Sequence, residues 1–303
     1  MIRCTSEQST LYTYKNKIRT FNPLTMESDE FFDASGFLER NSTVSCFDAD
    51  KEFVAVAGTD GELIVVTGDS LVQYSQRVSN QSITCVRLAR GGKYCIFADS
   101  SSSIGKVELG SEAVATTIPV EGFGVQNCHL HPSSDSAVIF SHGTHRMQLN
   151  DLRAGQKSVW KSTHMKNALL ASDWHCSGDV LAVSQADFVT CLWDLRMLCV
   201  PFHSLHASLC EQLNCTFSSC GSFLAVGESD DFVNIFPVHN VDAESQQGSL
   251  NYQSIDFIGE MAGLAFSPNA NSLFIGIGGD IAYSGLVEFE RKNAVEQMLE
   301  HFI

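Results

Sequence analysis

Four sets of residues carry enough chemistry to be weighed first. His129 and His131 fall on one side of a strand, a spacing that suits a metal ion. Against that, His131-Pro132 and His175-Cys176 occupy matching places before a turn, which favours a turn role over a ligand pair. His164, Ser184 and Asp187 supply the residue types of a hydrolase triad, yet no G-x-S-x-G elbow frames Ser184. Gly276-Ile277-Gly278-Gly279 is glycine-rich, but no P-loop lysine and no helix follow it, so it reads as a turn rather than a phosphate cradle. The eleven cysteines contain no C-x-x-C, and Cys210, Cys215 and Cys220 have a spacing that fits neither one helix face nor a zinc knuckle. No catalytic group, metal or cofactor is expected from these patterns. In a reducing compartment the thiols read as small buried hydrophobes. The run Ser100–Ser103 is a polar loop and a simple target for phosphorylation.

Composition bounds what can position such residues. Nineteen basic against thirty-five acidic side chains give 19 − 35 = −16, which repels phosphate backbones and anionic membranes. No nucleic-acid or membrane partner is expected. Hydrophobic content of 44% with 18% charged residues is ample for a core. No apolar run approaches the ~18–20 residues that span a bilayer. The start, Met1 to Thr5, has no signal-peptide core, so an intracellular protein, cytoplasmic or nuclear, is expected. A length of 303 residues suggests two domains on size alone, at roughly 150 residues each.

That suggestion loses to an internal repeat. SCFDADKEFVAVAGTDGELIVV (45–66), CVRLARGGKYCIFADSSSSIGKV (85–107) and SDWHCSGDVLAVSQADFVTCLWD (172–194) share one template: strand, polar turn, strand, acidic turn, strand. An apolar anchor before the first turn falls at Phe47, Leu88, Leu130, Trp174, Phe217 and Phe266. The long last step contains the polar stretch His239 to Ser249, a loop insertion by composition. A period near 42 with three or four short strands per unit marks a β-propeller. The expectation is an all-β, seven-bladed propeller over 1–292, with Cys46, Cys85, Cys128 and Cys215 on innermost strands.

One unit carries a family signature. Residues 164–196 resemble a WD-repeat (WD40) blade, with His164, Ser184, Asp187 and Trp193 in the places of its structural hydrogen-bonding tetrad. Asp60 and Asp230 keep the turn aspartate of other blades, while Val66 and Phe236 replace the tryptophan and Asn150-Asp151 stands where Trp-Asp would. SIDFIGEMAGLAFSPNANSLFIGI (254–277), ESDDFVNIF (228–236) and VAGTDGEL (56–63) resemble a largely uncharacterised group of plant and fungal WD-repeat proteins. LAVSQADFVTCLWDLR (181–196) resembles the WDxR box of cullin-RING ubiquitin-ligase substrate receptors. That resemblance makes Asp194 and Arg196 candidate adaptor contacts, with Asn150-Asp151-Leu152-Arg153 a weaker echo.

From Asn293 to Ile303, Val295, Met298, Leu299 and Phe302 recur at helical spacing, and Asn293 with Glu296 forms a capping-box-like start. A short C-terminal amphipathic helix over 293–303 is therefore expected. The functional expectation is a non-enzymatic protein–protein interaction scaffold, with Lys- or Arg-rich partners favoured by the negative charge. The alternative is a ligase substrate receptor acting through Trp193-Asp194-Leu195-Arg196. A propeller enzyme would need a convergent cluster at the central channel, whereas the histidines read as lying in turns and outer strands.

Overall fold

The computed structural model describes residues 1–101, 103–109, 115–119, 125–133, 136–141, 146–152, 158–162, 167–206, 212–228, 231–238, 252–278 and 285–291. The first blade is β1 (Ile2–Ser6), β2 (Ser9–Tyr14), β3 (Lys17–Asn22) and β4 (Glu27–Asp33). The second is β5 (Val44–Ala49), β6 (Phe53–Gly58), β7 (Glu62–Thr67) and β8 (Val72–Arg77). The third is β9 (Ile83–Leu88), β10 (Tyr94–Asp99), β11 (Ser103–Glu108) and β12 (Ala115–Pro119). The fourth is β13 (Val125–Leu130), β14 (Ser136–Ser141), β15 (Arg146–Asp151) and β16 (Ser158–Lys161). The fifth is β17 (Leu169–Trp174), β18 (Val180–Gln185), β19 (Val189–Asp194) and β20 (His203–His206). The sixth is β21 (Gln212–Phe217), β22 (Phe223–Glu228), β23 (Phe232–Pro237) and β24 (Gln253–Asp256). The last sheet has three strands, β25 (Glu260–Phe266), β26 (Ser272–Gly278) and β27 (Gly285–Glu290). Each sheet is antiparallel and follows chain order from the inside outward.

The expectation of a seven-bladed propeller with a C-terminal helix is corrected. Among the described residues six sheets form four-stranded blades and the last sheet has three strands. β1 pairs with β2 within its own sheet and is not a strand of the last one. The described residues contain no α-helix, only 3-10 turns at Ala34–Gly36 and Arg90–Gly92. The segment 293–303, like the insertion 239–249, lies outside the described residues. No helix among them is long and apolar enough to cross a membrane.

Why the strands read as nearly continuous apolar runs follows from the packing. Successive side chains of a strand point to opposite faces. Val54, Val56, Ile64 and Val66 pack toward the first blade, against Leu11, Ile18 and Phe32. Ala55, Ala57, Leu63 and Val65 pack toward the third, against Val86, Cys95, Phe97 and Val107. Both faces of β6 and β7 are thus buried, and neither can carry the polar half of an alternating pattern. Among the described residues the first and last sheets meet through apolar contacts: Ile2, Tyr12 and Phe21 meet Ala265, Phe274 and Leu286.

Neighbouring blades are also stapled by polar contacts at the first turn. His131 Nε2 donates to the Gly178 carbonyl of the next blade (3.0 Å), and its ring stacks edge-on against Trp174. His175 Nε2 repeats the contact with the Gly221 carbonyl (3.1 Å) and Phe217. Each imidazole accepts a backbone N–H at Nδ1, from Ser133 and Ser177. Both glycines have positive φ, +81° and +73°, and a Cβ on either would strike the neighbouring imidazole. Gly178→Ala and Gly221→Ala should each lower unfolding free energy by about 1–3 kcal/mol. Denaturant midpoints test this against Gly36→Ala, which has open space around it and should be near neutral.

Candidate functional site

The innermost strands converge on a channel holding a cavity of about 190 Å³. In six sheets the inner strand skips one residue of its register, as at Ser45, Thr84 and Leu170, so a bulge recurs at the same place. Bulges twist a strand and re-aim side chains. Here Thr84 and Leu170 line the channel, and Thr84 Oγ1 donates to the Val125 carbonyl of the next blade (2.7 Å).

One register position is shared by all seven inner strands, and most of its residues face the channel or its mouth. It is the residue opposite the third position of the second strand: Arg3, Asp48, Arg87, His129, Asp173, Thr216 and Ala265. Six of the seven are polar, and they form a ring. Arg3 Nε donates to Asp48 Oδ1 (2.7 Å), and Asp48 Oδ2 accepts the Leu88 N–H (2.9 Å). Arg87 Nη2 lies 3.0 Å from His129 Nε2. Because a guanidinium only donates, His129 Nε2 must accept and Nδ1 carries the proton. That Nδ1 faces Asp173 Oδ1 at 3.6 Å. Asp173 Oδ2 accepts Thr216 Oγ1 (3.2 Å) and the Phe217 N–H (2.7 Å).

The electrostatics follow from crowding. Burial, reinforced by Arg87 and Arg3, holds His129 well below the usual histidine value of 6.5. Burial raises Asp173, although its backbone donors and Arg3 oppose that. Cys46, Cys85, Cys128 and Cys215 are buried on the innermost strands, and burial pushes Cys215 up to about 12. The arrangement can hold a neutral imidazole and two guanidinium groups in fixed positions around an opening. Among the described residues no group of three or more His, Cys, Asp or Glu side chains is placed to hold a metal ion.

This ring was not foreseen, and one expectation about it is corrected: His129 lies on an innermost strand and faces the channel, not a turn. His129 and His131 therefore do different work. The signal was present as a polar residue one place before four of the six apolar anchors, in Arg87-Leu88, His129-Leu130, Asp173-Trp174 and Thr216-Phe217. Placing the second blade's anchor at Phe47 hid the pattern, since β5 brings Asp48, and so Ala49 after it, into that register.

Of the residues that resemble the WD tetrad, Ser184 Oγ pairs with Thr190 Oγ1 (2.9 Å), and Asp187 accepts Asn167 Nδ2 (2.6 Å). The Trp193 indole is buried, with its N–H meeting no acceptor among the described residues. His164, Arg153 and Asp230 lie outside the described residues. At the matching second turns of other blades, buried carboxylates tie the turn to neighbouring chain. Glu62 accepts the Glu39 N–H (2.8 Å) and Ser42 Oγ (2.9 Å), Asp99 accepts Ser79 Oγ (2.7 Å), and Glu228 accepts Asn234. Burial alone would raise Glu62, but these donors outweigh it and hold the carboxyl below its ordinary value.

The WDxR residues sit at the outer end of β19, on the face that carries the first turns. Arg196 is 77% exposed and is gripped by Asp194 through Nε (2.9 Å) and Nη2 (2.7 Å). The Arg196 hydrogen bonds hold Asp194 down at about 2. Met197, Val200 and Phe202 follow in the same loop and are also exposed.

Comparison with known proteins places this geometry in a fold. The chain resembles one in the crystal structure of the Mitotic Checkpoint Complex, with a TM-score of 0.80 at 12% identity, covering 97% of this chain and 87% of that one. It also resembles the Myceliophteria thermophila Cps50 (Swd1) β-propeller domain, with a TM-score of 0.70 at 16% identity over 82% of this chain and 83% of that one. These neighbours are WD40 β-propeller proteins, and at such identities the likeness shows the fold alone. No protein-family model and no curated protein sequence matches the chain.

The ring makes a pH prediction. Below about pH 6.5 the unfolded chain binds a proton at residue 129 that the folded chain refuses, so stability falls as pH falls. His129→Gln should flatten that slope by up to about 1.4 kcal/mol per pH unit just below 6.5. Urea titrations at stepped pH measure it, and an unchanged slope would show that His129 titrates normally in the fold.

Proposed function

We propose that the chain is a non-enzymatic scaffold that holds protein partners on the faces and rim of its propeller. The WD40 propeller neighbours, one of them part of a protein complex, support protein partners in general. The observation that carries the reading is the loop after β19, where Arg196 is oriented by Asp194 beside exposed Met197, Val200 and Phe202. Arginine, methionine and aromatic residues are the types enriched where proteins meet. The net charge of −16 favours partners that bring Lys- or Arg-rich segments to the outer surface.

The same loop supports a second reading, a cullin-RING substrate receptor whose adaptor is engaged by Arg196. A guanidinium already aligned by one carboxylate keeps an N–H edge for a second, and its planar fork suits that role. Affinity purification from native cells with wild type and Arg196→Glu in parallel tests both readings. The scaffold reading expects discrete partners with wild type and a drop of about tenfold or more, in the variant, for those that touch this loop. Loss of a ligase adaptor from the variant alone would establish the receptor. An identical partner set from both proteins would remove the loop from the binding surface.

A further inference from the structure

We propose that the groove at the channel mouth binds the carboxylates of an acidic, partly apolar peptide segment. The inference rests on the scaffold reading and assigns it one surface and one ligand chemistry. The groove has a volume of about 690 Å³ and is lined by residues of the first four blades, Arg3 coming from the first. Asp48 and Ala49 come from the second, Arg87, Leu88, Ala89, Lys93 and Tyr94 from the third, and His129 to Ser133 from the fourth. It opens directly onto the charged ring, which supplies its floor.

Three observations point to an anion. Arg87 has five N–H donors, and its hydrogen bonds, to the Val86 carbonyl (2.9 Å) and His129, use only two. Its Nε is shut away from solvent and meets no acceptor among the described residues. Burial opposes the Arg87 charge and Cys85 and Asp48 offset that, while an incoming carboxylate would supply acceptors for the donors left over. Second, the carboxylates nearest Arg87 are already committed. Asp48 is taken by Arg3 and the Leu88 N–H, and Asp173 by Thr216 and two backbone N–H groups. The imidazole that touches Arg87 is neutral and contributes no negative charge. Third, the groove's lining reverses the sign of the molecule. Arg3, Arg87 and exposed Lys93 face it against the single carboxylate of Asp48, in a chain of net charge −16.

The remaining walls decide between a free anion and a peptide. Ala49, Leu88, Ala89, Tyr94, Leu130 and Pro132 make them largely apolar. The volume lies in the range of pockets that enclose whole ligands rather than a single oxyanion. A segment with acidic residues interleaved with apolar ones satisfies both the cations and the walls. The planar fork of Arg87 is matched to a carboxylate, and Lys93 at the edge acts as a point charge that draws the segment in.

A random heptapeptide library displayed on beads and panned on the full chain at low salt tests this, with wild type, Lys93→Glu and Arg87→Gln side by side. Thermal melts first establish that each variant is folded. Lys93 is exposed, so Lys93→Glu carries the test alone if Arg87→Gln does not fold. Peptides with Asp or Glu flanked by apolar residues should be enriched on wild type and fall about tenfold or more on Lys93→Glu, the loss of one favourable charge contact. Non-acidic peptides on wild type, or acidic ones kept equally by Lys93→Glu, would overturn this inference and leave the scaffold reading in place. Recovery of no peptide on wild type, with no partner captured from cells, would overturn both.

Discussion

The structure depends on one constraint: inner strands about 42 residues apart must present the same register position to a common axis. The links of the ring show what that demands. Arg3 reaches Asp48 across 45 residues, Arg87 reaches His129 across 42, and Asp173 reaches Thr216 across 43. Each contact joins two different sheets, so a slip of one residue in any inner strand would turn a charged side chain into an apolar interface. The bulge that recurs at the far end of six inner strands fixes this register, because it leaves only one pairing for the residues beyond it.

Apolar packing and polar stapling then divide the work. Between sheets, both faces are filled by side chains such as Val56, Ala57, Ile64 and Val65, none of which is exposed. Such packing is strong but not selective, since many aliphatic combinations fill similar volume. Selectivity comes from contacts with a direction. His131 and His175 tie first turns across blades, and Glu62 and Asp99 anchor second turns to the chain beside them. A buried carboxylate left unpaired is costly, so these contacts penalise any other arrangement of the turns.

Much of this was legible in the sequence, and the gaps have physical causes. The period and the triple-strand template were readable because turn chemistry and apolar runs are local properties of the chain. A fourth, outer strand fits the repeat at Leu71–Val78 and Ser158–Thr163, and β8 over Val72–Arg77 and β16 over Ser158–Lys161 fall inside those stretches. The blade count went wrong at the last unit, where three strands use the chain up to Glu290. Arithmetic on length counts units but not strands within them. The ring was missed because register depends on the pairing partner. Nothing local to β5 says whether Phe47 or Ala49 lies across from Val54, and the larger residue was the natural but mistaken anchor.

The same register accounts for why the charge at the channel mouth differs from that of the molecule. Acidic side chains spread over an exposed surface repel one another weakly, because water and salt screen them. At the axis, seven inner strands bring their side chains close together with little water between, and a ring of like charges there would be prohibitive. The observed order places Arg3 beside Asp48 and Arg87 beside neutral His129, with Asp173 beyond it, which avoids any carboxylate facing a carboxylate. Satisfying that rule with few basic residues leaves Arg87 as a cation with a neutral neighbour and unused donors. An acidic protein thereby has a cationic opening where the ring's own carboxylates, Asp48 and Asp173, are already engaged by Arg3, Thr216 and backbone N–H groups, and that opening gives the groove its chemistry.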